Sequence, residues 1–406
     1  MAAGLFSHRV SDLCLGKPAL RSLSVAATVG DALFALRNSE DSFLSVWSCD
    51  HRSGTTVPSH EGGEGGECRC VGKLCMVDVI CYLSSEDNLS SPSEALKAPV
   101  SALLPKIPGQ VVHVEPSSRL VEAIDLLLQG AQNLVVPIQT RSPRRKQHQK
   151  LSSSTGPITI HKGQEFCWLA QEDVIRFLLN SIGIFSPIPA RSIDTLGLIN
   201  AQVLAVDYHS PASAAVEAIS RSLVEQTSVA VVDGEGILIG EISPCTLACC
   251  EETAAAAVAT LSCGDLMAYI DCGGPPEDLV RVVKERLEER NWKGMLEEFA
   301  ISSAPSNSST TSSSSSSSDE ESFSSPSTKL ARSGKYSRSH SYSARMVRRS
   351  EAIVCHPKSS LMAVMIQAIA YRVNYVWVIE DDCSLVGIVT FSSMLEVFSE
   401  LLENLE

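Results

Sequence analysis

Apolar and polar positions along the chain fall into a pattern that occurs four times. Each copy opens on a short polar start, at Ala27-Thr-Val-Gly-Asp-Ala-Leu33, Pro116-Ser-Ser-Arg-Leu-Val-Glu-Ala-Ile124, Pro211-Ala-Ser-Ala-Ala-Val-Glu-Ala-Ile219 and Pro357-Lys-Ser-Ser-Leu-Met-Ala-Val-Met365. The apolar residues that follow keep helical spacing, as Leu120, Ile124, Leu127 and Leu128 do. A β-rich run comes next, at 43–47, 133–138, 228–232 and 375–379, and a second at 71–74, 166–169, 238–242 and 385–389. Another helical pattern closes the copy, as at 77–83 and 393–398. Strand, helix, strand, strand, helix with nearly continuous apolar strands predicts an α/β (α+β) fold in which helices cover small sheets.

The repeat also sets the domain boundaries. Ala32, Ala123, Ala218 and Val364 occupy equivalent positions at intervals of 91, 95 and 146 residues. The last interval is long by about 51 residues, close to the length of a Ser-rich tract at 302–349 that reads as an insertion within the fourth copy. Two pairs of repeats follow, 1–185 and 186–406, the first pair carrying loop insertions at 49–70 and 139–164. The Ser-rich tract lacks the apolar residues to offset its ordering entropy and is expected to be disordered. Within it or at its end, Ser317 and Ser318 precede acidic residues, while Ser341 and Ser350 follow basic ones, so all four are candidate phosphorylation sites, with an unmodified spacer as the alternative.

Composition narrows the chemistry. The 406 residues carry a formal net charge of −14, spread along the chain, which argues against nucleic acid as a partner, since phosphate contacts need clustered Lys and Arg. No stretch approaches the roughly 20 apolar residues of a membrane span, and the first residues do not read as a secretory signal. Several of the 14 cysteines, among them Cys81, Cys167, Cys249 and Cys250, lie in apolar segments, where thiols pack as small hydrophobes. A reducing compartment, cytoplasm or nucleus, is expected. Cys49, His51, His60, Cys68 and Cys70 share a Gly- and Glu-rich stretch, but their spacing is irregular for a tetrahedral zinc site, and the expectation is a variable loop without metal.

Gly240-Glu-Ile-Ser243 and Val386-Gly-Ile-Val-Thr-Phe391, each following an apolar strand and an acidic turn, resemble the second half of CBS motifs. Together with Val10-Ser-Asp-Leu-Cys-Leu-Gly-Lys-Pro18, Thr227–Gly236 and Ser360–Gln367 they make the chain similar to plant CBS-domain proteins of the CBSX group. That resemblance implies two Bateman modules, arranged as in the SNF4-like gamma subunits of SNF1-type kinases. It also implies a regulatory protein that acts on a partner, a kinase or a redox protein, and that could pair with a second copy through its CBS modules.

Adenosyl-binding members of such families resemble each other at one turn, Gly-x-x-Ser/Thr-x-x-Asp. There the hydroxyl caps a helix and the carboxylate accepts hydrogen bonds from a ribose; the same spacing is also an ordinary capping box. Every copy here departs from it. The first has Gly72 and Asp78 but Cys75 in place of the hydroxyl; the second has Asp173 but neither Gly nor hydroxyl. The third keeps Gly240 and Ser243, and the fourth Gly387 and Thr390, both without the Asp. Basic residues that would face phosphates are replaced by Glu40-Asp41, Gln132-Asn133, Gln226-Thr227 and Val373-Asn374, with Arg372 the one nearby cation. Of the candidate ligands AMP, ATP and S-adenosylmethionine, a low-charge adenosyl compound is therefore favoured over ATP. His113, His209 and His356 read as structural, and with no nucleophile, phosphate-loop or metalloprotease motif the chain is not expected to be an enzyme. The expected function is a non-catalytic regulator, with an AMP/ATP-sensing gamma-like kinase subunit as the alternative.

Overall fold

The computed structural model describes residues 8–39, 41–49, 68–105, 109–138, 160–161, 163–271, 274–297 and 351–403. The first repeat consists of β1 (Ser22–Ser24), α1 (Val29–Arg37), β2 (Phe43–Ser48), β3 (Arg69–Cys75) and α2 (Met76–Leu83). The second consists of β4 (Val111–His113), α3 (Leu120–Leu128), β5 (Asn133–Ile138), β6 (Glu165–Ala170) and α4 (Gln171–Asn180). In the third, β7 (Ala205–Asp207), α5 (Val216–Glu225), β8 (Val229–Val232) and β9 (Leu238–Ile242) lead into a one-turn helix, α6 (Pro244–Leu247). Three further helices, α7 (Ala254–Thr260), α8 (Cys263–Tyr269) and α9 (Glu277–Glu289), precede the fourth repeat: β10 (Val354–Cys355), α10 (Leu361–Tyr371), β11 (Tyr375–Ile379), β12 (Leu385–Thr390) and α11 (Phe391–Glu403).

Each repeat forms its own three-stranded sheet, with the first strand parallel to the second and the second antiparallel to the third. The first helix of a repeat is the crossover that the parallel pair requires. Local chemistry sets where these helices begin. Thr28 Oγ1 accepts from Asp31 N at 3.1 Å while Thr28 N donates to the Asp31 carboxylate at 2.9 Å, and Ser360 Oγ accepts from Ala363 N at 3.3 Å.

A segment remote from each crossover helix is pinned across its start. Thr28 bridges Pro99, Arg119 bridges Arg9, Pro211 bridges Ser262 and Ser360 bridges Ser192. Thus the second repeat is strapped by residues that precede the first, with Val10 N donating to Ser118 O at 3.0 Å. The fourth is strapped by residues that precede the third, with Ile193 N donating to Ser359 O at 2.9 Å. Val10 and Ile193 are fully buried there.

Repeats one and two meet sheet to sheet through Leu20, Trp47, Cys70, Val111 and Val135. In repeats three and four the hairpins interlock: Leu238 N donates to Cys383 O and Leu385 N to Gly236 O, both at 3.1 Å. The pairs are joined by helices. One apolar cluster runs from the first repeat into the third, with α2 against α5 and α7, and another from the second into the fourth, with α11 against α3 and α4. Arg37 pairs with Glu252 across the first of these seams. The four repeats therefore close on one another within a single chain. No helix among the described residues is long and apolar enough to cross a membrane.

The structure thus has the α/β (α+β) architecture that the repeat pattern predicts. Ser317, Ser318, Ser341 and Ser350 lie outside the described residues, as do His51 and His60.

Candidate functional site

In each repeat the third strand runs directly into a helix, and the candidate residues sit around these turns. In the first pair both carboxylates are engaged by their own helices. Asp78 accepts from Cys75 N at 2.7 Å, and Asp173 accepts from Ala170 N at 2.8 Å while holding the Lys17 ammonium at 2.6 Å. Burial raises the Asp78 carboxyl to about 6, opposed by the Cys75 N–H. Lys73 donates to Asn133 Oδ1 at 3.1 Å and lies 3.7 Å over the Phe43 ring. Its burial holds the ammonium below the usual lysine range, against the fields of Cys75, Cys245, Asp78 and Asp173. Gly72 faces Leu104, whose Cδ2 would be 2.6 Å from a Cβ at that position. The first-pair turns are thus lined by a lysine, a leucine and two self-capping carboxylates.

The second pair is organised differently. Ser243 stands at the N-cap of α6, but its hydroxyl makes no cap hydrogen bond and lies 3.4 Å from the Tyr375 hydroxyl, which corrects the expectation that it caps the helix. Pro244 at the first helical position removes one of the otherwise unpaired amides at the helix start. The centre of this interface is a buried carboxylate that sequence reasoning missed. Glu241 accepts from the Tyr375 hydroxyl at 2.9 and 3.0 Å and from Trp377 Nε1 at 2.7 Å. Its signal was a glutamate inside the apolar run Leu238-Ile-Gly-Glu-Ile242. Gly240 is buried beside it and pairs with Val231. Gly387 passes so close to the preceding strap that a Cβ would lie 2.5 Å from Asn200 O.

A cavity of about 280 Å³ opens at the base of this pair, lined by Asn200, Gln202, Glu225, Thr227, Ser228 and Thr390 among others. Thr390 caps α11, accepting from Ser393 N at 3.2 Å. Thr227 Oγ1 is enclosed and has no hydrogen-bond partner among the described residues. No Lys, Arg or His is among the lining residues. The volume lies just under the ~300–1,000 Å³ usual for small-molecule sites.

In the second, third and fourth repeats the positions before the second strands, where phosphate-facing cations would stand, bind one another instead, while Asp41 of the first pairs with Arg21. Gln132 Nε2 donates to Leu223 O and Val224 O at 3.1 and 2.6 Å. Gln226 Nε2 donates to Gln132 O at 3.3 Å, and Asn374 Nδ2 to Gln226 Oε1 at 3.2 Å. With Lys73 and Asn133, this amide network ties together all four repeats at the centre of the molecule. The histidines also serve structure: His113 Nε2 accepts from Cys70 N at 3.0 Å, His356 Nδ1 meets Ile379 O at 3.0 Å, and His209 sits edge-on to Tyr208.

Comparison with known proteins agrees with this architecture. The family model described as the CBS domain matches residues 344–400. Over the full length of both chains, the sequence is 54% identical to the CBS domain-containing protein CBSX5 of Arabidopsis thaliana. It is 29% identical to CBSX6 of the same plant, covering 97% of this chain and 94% of that one. A more distant relative, 21% identical over 57% of this chain and 64% of its own length, is the SNF1-related protein kinase regulatory subunit gamma-like PV42b, also of Arabidopsis thaliana. Among solved structures, a protein of Methanocaldococcus jannaschii described as an archaeal homologue of g-AMPK superposes with a TM-score of 0.52 at 14% identity. That match covers 96% of this chain and all of the other.

Proposed function

The chain belongs to the CBS-domain proteins of the CBSX group, and from that premise we propose that it is a non-catalytic regulator whose main work is to bind and modulate a partner protein. The observation that carries this reading is the amide network of Gln132, Gln226 and Asn374. Side chains at the phosphate-facing positions of the second, third and fourth repeats bind one another, and Lys73 of the first joins them through Asn133, so polar groups of the chain itself occupy its centre. What it offers is a preformed surface.

Among the described residues, a ligand is best placed in the cavity lined by Thr390 and Thr227. Its hydroxyls, amides and the Glu225 carboxylate suit the ribose and base of a low-charge adenosyl compound such as S-adenosylmethionine, whose sulfonium also tolerates a nearby acid. AMP is the next best fit, and ATP the poorest, because nothing in the lining balances a polyphosphate. The test is calorimetry with the three compounds on the purified chain and on Thr390→Ala and Thr227→Val. Binding of S-adenosylmethionine that each variant weakens by about tenfold or more supports the site, at about 1.4 kcal/mol per tenfold. Equal binding in wild type and both variants removes it.

The second reading, a gamma-like subunit of an SNF1-type kinase, is favoured by the closure of four repeats within one chain. Copurification with kinase catalytic and beta subunits decides between them: a stable stoichiometric complex establishes the gamma-like role, and its absence leaves the partner-modulating scaffold. Because the helical faces that join the modules are already used inside the chain, a dimer of this protein would have to use another surface.

A further inference from the structure

We propose that Cys49, Cys68 and His161 form a site for a soft divalent cation, zinc above all, which clamps the first repeat to the second. The three come from separate places. Cys49 follows β2 directly and Cys68 directly precedes β3, and because Ser48 pairs with Arg69 the two cysteines face each other at the next step of the same hairpin. His161 belongs to the second repeat, in a bridge with Gln164 just ahead of β6. Both ends of the first hairpin's insertion and the segment ahead of β6 thus meet at a single point.

The geometry is that of a coordination sphere. The two sulfurs and an imidazole nitrogen all lie within 4.8 Å of one another, and Cys49 Sγ is 3.4 Å from His161 Nδ1. Zinc bonds to sulfur at about 2.3 Å and to imidazole at about 2.0–2.1 Å, so a tetrahedron places sulfur and nitrogen about 3.6 Å apart, and two sulfurs about 3.8 Å apart. An ion therefore fits with only small shifts. Two thiolates and an imidazole are a donor set selective for zinc over magnesium or calcium, and three protein ligands with water at the fourth corner complete its coordination.

The histidine is held for the task. Its ring lies flat on Trp47, with 3.7 Å between centroids and 9° between planes, and is 6% exposed. Trp47 is itself fixed by donation from Nε1 to Ser45 Oγ at 2.8 Å. Cys70, which a reading of sequence spacing would include, is turned away: its Sγ points to Gly72 O at 3.5 Å. The irregular spacing in sequence concealed the site because one ligand comes from the neighbouring repeat.

The test uses the untagged full chain, reduced and stripped of metal, and titrated with Co(II). The expected result is one equivalent bound, with thiolate-to-cobalt charge-transfer absorption and the visible bands of tetrahedral cobalt, both displaced by zinc. These are lost in Cys49→Ser, Cys68→Ser and His161→Gln, but kept in the Cys245→Ser, Cys249→Ser double variant, whose thiols are exposed. Zinc should also raise the melting temperature of the wild type and not that of the three variants. Absence of the charge-transfer band in the wild type overturns the proposal, and so does its persistence in Cys49→Ser and Cys68→Ser. Recovery of a Cys49–Cys68 disulfide in the protein as isolated from a reducing lysate, with no metal bound, overturns it as well.

Discussion

Asp78 illustrates how a ligand-type residue is turned to local structure. Its carboxylate lies against the Cys75 amide at the start of α2, where an acid suits the helix terminus, yet desolvation outweighs that help and raises its pKa to about 6. With a folded value above the ordinary 3.8, the native state holds the proton more tightly than the unfolded chain. The resulting stabilisation is present in full at low pH and disappears as pH rises through about 6. Urea unfolding from pH 5 to pH 8 should show the wild type losing about 1 kcal/mol relative to Asp78→Asn, whose amide oxygen can still accept from Cys75 N. Parallel profiles for the two proteins would remove this account. Asp173 forms an ion pair with Lys17 at 2.6 Å. The candidate positions were legible at this scale because their spacing follows the strand-to-helix turn. Their partners were not, since Lys17, Leu104 and Tyr375 approach from distant parts of the chain. Nor did spacing disclose Glu241, whose burial is offset by two donors, the Tyr375 hydroxyl shared between its oxygens and Trp377 Nε1.

Among the elements, strands and crossover helices were the most readable parts. Asn133–Ile138, Leu238–Ile242 and Tyr375–Ile379 coincide with the apolar runs, since a small sheet covered by helices leaves little room for alternation. Helix α7 escaped the periodicity argument for the opposite reason. Ala254 to Ala259 are all buried, so the helix has no polar face and no stripe to detect. The small alanine side chains let α7 approach α2 and α9 together. The glycine of β12 has a related role, bringing a strand close to a strap. Gly387→Ala should destabilise the chain by about 1–3 kcal/mol, because the new methyl meets both Asn200 O and Ile199 Cγ2. Gly234→Ala, with open space around it, should stay within about 0.5 kcal/mol. Thermal unfolding of the two variants side by side checks this, and equal melting temperatures would contradict it.

For the whole molecule, the decisive feature is how the repeats are joined. Sheets join one to two and three to four, helices join one to three and two to four, and polar side chains meet at the middle. The four-fold recurrence was visible in the sequence, but the seams were not, because the same apolar helix face serves equally well inside a repeat or between two. The straps test the connectivity directly. Deleting residues 1–18 removes Val10 and Cys14 from the core of the second and fourth repeats, and Lys17 from Asp173. Hydrogen exchange should then quicken in α3, which the missing segment covers, well before α1, which lies nearer in sequence. Faster exchange in α1 alone would show the strap to be dispensable.

The straps also bear on how such a chain can grow. A duplicated single repeat would carry its sheet and helices but not the stretch that closes the second member of the pair, since that stretch lies upstream of the first. The smallest length of gene that can be copied and still encode a closed structure is therefore two repeats with their leading segment. The near-equal reach from Arg9 to Arg119 and, without the long insertion, from Ser192 to Ser360 is what one doubling of that unit would leave behind.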